Sequence, residues 1–351
     1  MVDYLVVGLG LAGISFCETL EQGGKSFIVV SDKSQKASTV AGGLYNPVTL
    51  KRFTLSWKAH EQLALLPQFY AGLEEKLGVQ LDHPLRVLRR FTSIAEQNQW
   101  FEASDKPGLE PLMSTSLIPN TNAAIEAQHS YGEVLRTGRV DTKLLQRSYR
   151  NYLLDRNLLR EESFEFNSLA FREDHLLYKN IKAKHLVFAL GFGLKQNPYF
   201  NCLPLIGSKG EYLMIKAPDL KETHIIKSPV FLIPQGNHIY RVGATYKRED
   251  KTNKPTTEAR EELEVKLKSF LKCDYEVVDQ LAGIRPTTGD RRPLVGQHPH
   301  FPSLYILNGF GSRGVMIAPY ASKALYNYIE NQAELPAEMD IKRFKKRFGR
   351  G

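Results

Sequence analysis

VGLGLAGISF, residues 7–16, follows the apolar run Tyr4-Leu5-Val6-Val7 near the start of the chain and decides the fold. Gly8, Gly10 and Gly13 give it the spacing GxGxxG, which alone is a weak signal. Its neighbours supply the context. Residues 3–7 predict a strand, ISFCETLEQGG a helix closed by Gly23 and Gly24, and FIVV a second strand ending at Ser31 and Asp32. In such a βαβ unit the first glycine permits the tight turn, the second lets a pyrophosphate approach the backbone, and the third lets helix and strand pack closely. The phosphates then lie at the positive end of the helix. The turn therefore predicts a dinucleotide site. An acid at the end of the second strand normally takes the ribose hydroxyls. Counting from Gly13 puts that place on Ser31, with the carboxylate one residue later at Asp32, and either can serve.

A chain of 351 residues, 42% hydrophobic and 24% charged, has the composition of an ordinary globular protein and the length for two packed cores. The N-terminal apolar run is too short for a membrane span and leads into glycines rather than a cleavage site. No span or signal peptide is expected, and the cytoplasm is the expected compartment. Cys17, Cys202 and Cys273 are odd in number and far apart, which predicts packing roles, and the histidines lack ligand spacing, so no metal is expected. The net charge of +9 invites a nucleic-acid reading. Much of it sits in the tail, where Lys342, Arg343, Lys345, Lys346, Arg347 and Arg350 are offset only by Asp340. Ile341, Phe344 and Phe348 recur there at helical spacing, predicting a terminal amphipathic helix that docks its apolar face and solvates its charges, with a tail that touches RNA or a membrane as the alternative.

KASTVAGGLYNPV, residues 36–48, carries small or hydroxyl side chains at Ser38, Thr39, Ala41, Gly42 and Gly43. It reads as a loop able to lie flat against a planar ring, with its N–H groups toward phosphate or ring edges. Residues 58–76 and 140–154 read as helices, and FTSIAEQNQWFEAS as a strand followed by a helix. HLVFALGFG, residues 185–193, has the pattern of a buried parallel strand whose glycine end, at Gly191, returns the chain to the nucleotide. From about residue 205 strands alternate through GEYLMIKAP, SPVFLIPQG and HIYRVGATY, and the charged helix TEAREELEVKLKSFLK follows. Residues 304–308 predict a further strand, Gly309, Gly311, Ser312, Arg313 and Gly314 a glycine turn, and residues from Val315 to 330 a helix. A second helix N-terminus so arises, suited to holding an electron-rich ring through its N–H groups and dipole. The elements together predict an α/β protein, in which a Rossmann-like, doubly wound, mainly parallel sheet is interrupted by an α+β domain with an antiparallel sheet.

Taken in order, GLGLAG, ASTVAGGLYNP, ALGFG, GIRPTTGDRRPLVG and NGFGSRGVMIAP make the chain resemble the D-amino-acid-oxidase family of FAD-dependent oxidoreductases, from residue 3 to about 330. The resemblance is loosest between residues 55 and 180. The family includes glycine, sarcosine and D-amino-acid oxidases. It also includes the FAD-dependent half of a bifunctional enzyme that matures the wobble uridine of certain transfer RNAs, to which GSRG followed by AP is similar. The resemblance implies FAD, with its pyrophosphate at residues 8–13 and its flavin pyrimidine edge near Gly309 to Gly314. It implies an FAD-binding domain of residues 1–82, 136–204 and 281–351, and a substrate domain of residues 83–135 and 205–280. Part of the family attaches the flavin through a cysteine shortly before an aspartate. The matching stretch from Gly283 to Asp290 has none, so the FAD is expected to be non-covalent.

For the substrate, the resemblance implies Arg285, in GIRP, as the clamp on a carboxylate, a task that suits a planar guanidinium. A structural ion pair with an acid such as Asp290 is the competing role. Arg313 is the second candidate, and Tyr246, closing RVGATY, either hydrogen-bonds substrate or packs. The expected reaction is oxidation of the C–N bond of a small amino acid or secondary amine by hydride transfer to flavin N5, with water hydrolysing the imine. Two readings stand beside it. One is a stand-alone enzyme oxidising a carboxymethylaminomethyl group on transfer RNA. The other is a catalytically silent flavin-binding protein, motivated by Ser31 in place of an acid and Leu190 in place of a hydroxyl residue. No motif says whether oxygen or another acceptor takes the electrons.

Overall fold

In the computed structural model, which describes residues 1–349, the opening strand Val2–Val7 is buried on both faces. Tyr4 and Val6 enter one core and Leu5 and Val7 another, as the two-residue pleat requires of a strand covered from both sides. Val2–Val7 pairs in parallel with Phe27–Val30 on one side and Ile181–Phe188 on the other. Leu159–Arg160 and Leu304–Asn308 continue the parallel run, and the antiparallel strands Leu294–Gln297, Leu176–Tyr178 and Leu169–Phe171 complete an eight-stranded sheet. Helices Leu11–Gln22 and Gly314–Glu330 pack against each other over the Tyr4 and Val6 face. The parallel strands all end at one edge, where Val7, Val30, Ala189 and Asn308 border a single cleft.

A second sheet forms another wall of that cleft. Its seven strands run in the order Glu276–Arg285, Ser208–Lys216, Ile239–Gly243, Phe231–Gly236, Ile225–Lys227, Val87–Arg90 and Tyr131–Val134. The pairs are antiparallel except that Ile225–Lys227 runs parallel to Val87–Arg90, since the long excursion between them lets the chain return in the same direction. Helix Thr257–Lys268 covers one face, packing Leu263 and Leu267 on Leu213, Ile215, Leu232 and Val242.

Several expected elements shift. The strand expected over residues 185–193 stops at Phe188, and Gly191–Gln196 forms a 3-10 turn, so the ALGFG glycines leave the sheet at the cleft edge. FTS is a helix cap rather than a strand: Ser93 Oγ accepts from Glu96 N at 3.2 Å to start Ile94–Ser104, and the strand lies earlier, at Val87–Arg90. Residues 36–48 contain one helical turn, Ala37–Val40. The strand Glu276–Arg285 stays in the second sheet past the boundary expected between residues 280 and 281. The basic tail forms a 3-10 stretch over Ile341–Arg347 that is kinked at Phe344, instead of an α-helix, and docks Ile341, Phe344 and Phe348 on the Leu5 and Val7 core. Arg343 adds a hydrogen bond to the Pro293 carbonyl at 2.7 Å. Arg350 lies outside the described residues.

Trp100 ties the outer strands of the second sheet to the segment beside the cleft. Its fully buried indole meets Phe53 and Phe91 edge to face at 5.4 and 5.5 Å, and Nε1 donates to the Ser114 carbonyl at 2.9 Å. Trp100→Ala would leave a cavity and an unpaired carbonyl, and is expected to lower the unfolding free energy by about 3–5 kcal/mol. The fall in urea midpoint measures it; an unchanged midpoint would show that the ring is not a core element.

Candidate active site

The cleft at the carboxyl ends of the parallel strands encloses about 1420 Å³. An ordinary small-molecule site needs roughly 300–1,000 Å³, so a dinucleotide and a second, smaller molecule can share this one. Its position follows the rule for open α/β sheets, whose ligands bind beyond the strand ends.

The glycine turn shapes the floor. Gly8 has φ +105°, and a Cβ there would lie 2.9 Å from the carbonyl carbon of Ala189. A Cβ on Gly13 would run into the Gly8 carbonyl oxygen. Gly8 and Gly10 border the cleft, while Gly13 lies behind them and sets how closely the helix approaches the strand. The helix starts at Gly10 with no side chain of its own as cap; Ser38 Oγ, from the adjoining helical turn, accepts from Leu11 N at 3.0 Å. Its first turn, with the N–H groups of Leu11 and Ala12, borders the cleft and brings the positive end of the dipole there.

The second helix N-terminus opens into the same space. Gly311, Ser312, Arg313, Gly314 and Val315 border the cleft, and Gly314 packs on Leu11 of the first helix. Gly309 does not border it and sits against Leu294 and Thr288. Thr39, Ala41, Gly42, Gly43 and Gly191 line it as well. Asp32 and Ser31 both reach the rim. Asp32 accepts from Ser34 N at 3.0 Å, Ser34 Oγ at 2.6 Å and Ser163 Oγ at 2.7 Å. Burial raises its pKa, but the hydrogen bonds from Ser34 and Ser163 outweigh it and hold the carboxyl below its ordinary value.

The second sheet presents Arg285. Its guanidinium lies over Gly210, where a side chain would collide with it, and Nη1 donates to the Thr245 carbonyl at 3.2 Å. Asp290 is not its partner: that carboxylate pairs with Arg343 at 3.1 Å, and among the described residues Arg285 has no carboxylate within ion-pair distance. Tyr246 sits past the end of the strand Ile239–Gly243, is 57% exposed, and places its ring 4.9 Å from the Arg285 guanidinium carbon. Arg313 is committed elsewhere. Its guanidinium donates to the Asn46 carbonyl at 2.7 Å and to Thr49 Oγ1 at 2.9 Å, and burial, with the Arg291 charge adding to it, pushes its pKa down to about 10.

Sequence reasoning missed Tyr212, Phe231, Lys227, Asn46 and Thr49, all of which border the cleft. A signal existed for Tyr212. Gly210 and Gly243 stand inside strands, which marks close approach by another group, and the Tyr212 ring fills the space over Gly243.

A family model described as DAO, FAD dependent oxidoreductase, matches residues 3–327. A glycine oxidase of Bacillus licheniformis is 24% identical over 368 residues, covering 93% of this chain and 92% of that protein. The tRNA 5-methylaminomethyl-2-thiouridine biosynthesis bifunctional protein MnmC of Aromatoleum aromaticum is 27% identical over 179 residues, 44% of this chain and 28% of that one. The crystal structure of glycine oxidase from Geobacillus kaustophilus superposes with a TM-score of 0.79 at 19% identity, covering 98% of this chain and 97% of that chain.

Gly13→Val would wedge a branched side chain between the helix and the Gly8 carbonyl, moving the helix N-terminus away from the cleft. The variant is expected to purify without the yellow flavin absorbance of the parent. A fully yellow preparation would show that this turn is not where the pyrophosphate rests.

Proposed function

From the premise that the chain belongs to the DAO family of FAD dependent oxidoreductases, we propose that it oxidises the carbon–nitrogen bond of a small amino acid or secondary amine. FAD is the cofactor of the family, and the cleft fits it: two helix N-termini converge there, and a Cβ on Gly8 or Gly13 would obstruct the approach to the first. In this reading Gly8 to Ala12 would hold the pyrophosphate, Asp32 and Ser31 the ribose, and the residues from Gly311 to Val315 the flavin edge. The eight-stranded sheet then belongs to the cofactor domain, and the seven-stranded sheet faces the substrate.

Arg285 is the observation that carries the reading. It is a cation at the cleft wall with no carboxylate partner among the described residues. A carboxylate would take its fork in two parallel hydrogen bonds, with the Tyr246 ring beside it. Bound FAD supplies the acceptor for the hydride that leaves the carbon next to nitrogen. The chain supplies orientation. Among the described residues the cleft's carboxylates are Asp32, Asp141 and Glu162, each bonded to other groups, and no histidine borders it. The amine therefore enters as the neutral base, having given its proton to solvent, and the imine that leaves is hydrolysed by water. The initial rise of kcat/KM with pH should follow the substrate amine's own pKa.

A second reading keeps this chemistry and changes the handle, with the N-substituted glycine carried on transfer RNA. The likeness to the MnmC protein over 179 residues favours it. Because phosphate contacts are salt-sensitive, transfer RNA binding at low salt tests it, and absent binding there removes it.

Arg285→Lys keeps a charge but loses the fork. We expect bound flavin and melting temperature to be retained, while kcat/KM for carboxylate-bearing amines falls roughly ten- to hundredfold, about 1.5–3 kcal/mol. An uncharged amine analogue should change little. Anaerobic bleaching of the flavin absorbance gives both rates, and an equal loss on both substrates would overturn the clamp.

A further inference from the structure

The pairing register of the second sheet aligns five residues in one row. Lys227 stands opposite Phe231, Phe231 opposite Gly243, Gly243 opposite Tyr212, and Tyr212 opposite Leu281. All five border the cleft. Gly243 lets the Tyr212 ring lie across the row on the side of Phe231, so the two rings form an apolar strip, and a cation stands near each end: the Arg285 guanidinium over Gly210, two residues from Tyr212, and the Lys227 ammonium 4.9 Å from the Phe231 ring centre.

Lys227 is not consumed by the fold. Nζ donates to the carbonyls of Ser228 at 2.7 Å and Pro229 at 3.3 Å, which leaves one of its three protons free. Three charged groups lie around it. Arg89, from Val87–Arg90, bonds the Lys227 and Ser228 carbonyls; Glu96, from Ile94–Ser104, is already paired with Arg89; and Lys266, from Thr257–Lys268, is a further cation. No carboxylate among the described residues reaches it. Burial, then Arg89 and Lys266, push its pKa down to about 8, against the pull of Glu96.

We propose that Lys227 is a specificity-determining residue, whose ammonium pairs with a second anionic group, carboxylate or phosphonate, at the end of the amine's nitrogen substituent. The proposal rests on the amine-oxidation reading, in which Arg285 holds the glycine carboxylate. Strand spacing of about 4.8 Å and a rise of about 3.4 Å per residue put the backbone of Gly210 roughly 16 Å from that of Lys227. The inward reach of Lys227 toward Phe231 shortens the span between the two cations to about 12 Å. The preferred substrate is therefore an N-substituted glycine with a flat apolar body, lying on the strip made by the Tyr212 and Phe231 rings, and an acidic end.

The test uses the flavin-loaded protein with N-(4-carboxybenzyl)glycine, its phosphono analogue, and the neutral N-(4-carbamoylbenzyl)glycine. The wild type should favour the acidic substrates at least tenfold in kcat/KM, mainly through KM, with the two acids telling carboxylate from phosphonate. Lys227→Met should bring all three to parity without loss of flavin or melting temperature, and Lys227→Arg should restore part of the preference. The ratio of kcat/KM for the acidic substrates to that for the neutral one, in which the shared amine titration cancels, should fall as the pH rises past about 8 and stay flat in Lys227→Met. A binding readout runs beside turnover: the unreactive thioether (4-carboxybenzylthio)acetate, titrated by its perturbation of the flavin spectrum, should bind at least tenfold more weakly to Lys227→Met. If no glycine is oxidised while the thioether still binds through Lys227, the amine-oxidation reading fails and the anion site stands. A preference or thioether affinity that Lys227→Met leaves unchanged, or a wild type that neither prefers the acids nor binds the thioether, overturns the proposal.

Discussion

The close approach of helix Leu11–Gln22 to the strand before it governs the geometry of the cleft. Gly13 rests on the Gly8 carbonyl, and Gly8 on the backbone of Ala189, so two glycines bring a helix N-terminus to the junction of three strands. Hydrogen bonds from Gly8 N to the Val30 carbonyl at 2.9 Å, and from Ala189 N to the Val7 carbonyl at 2.8 Å, close that junction. The second helix is registered on the first, since Gly314 packs against Leu11. Two dipoles therefore converge on one space as a consequence of packing, and the charge preference of the cleft follows from backbone alone.

Side chains reinforce that preference. The carboxylates at the rim are drawn into local structure: Asp141 caps helix Thr142–Asp155, Glu162 bonds Lys179, and Asp32 holds its turn through Ser34 and Ser163. Arg285 and Lys227 have no such commitments to acids among the described residues. A cleft with helix N-termini at its floor and cations on its sheet wall without acid partners among the described residues favours anions at both, as the proposed placement of a pyrophosphate below and a carboxylated amine above requires.

What was legible in the sequence is what is local. The strand, turn, helix and strand through residue 32 are set by neighbours in the chain, and so is the turn and helix after Leu304–Asn308. Tyr212, Phe231 and Lys227 acquire their places from cross-strand register, which no single segment encodes. ALGFG misled because an apolar run reads alike whether it continues a strand or, as after Phe188, turns away from it. The aromatic residues of the tail sit on the core as their spacing predicts, while its kinked 3-10 form, with Arg343 reaching Asp290 and Pro293 about fifty residues earlier, has no signal in the segment itself.

The two arginines show why residue type does not settle a role. Arg313 lies in the glycine turn, the more conspicuous of the two motifs, yet two of its donors go to Asn46 and Thr49, more than 260 residues away in sequence. There it braces the cofactor wall against the segment that follows residue 43. A buried guanidinium without a counter-charge costs desolvation energy, seen in its lowered pKa, and its hydrogen bonds to neutral oxygens only partly offset that. Arg285 is only partly buried, spends one hydrogen bond on Thr245 and keeps the rest of its fork available beside an exposed tyrosine. Partial exposure lowers the cost of holding a free cation in the absence of ligand. The proposed carboxylate clamp is thus the arginine that the fold engages less and buries less, while Arg313, the more engaged of the two, joins two segments of the scaffold.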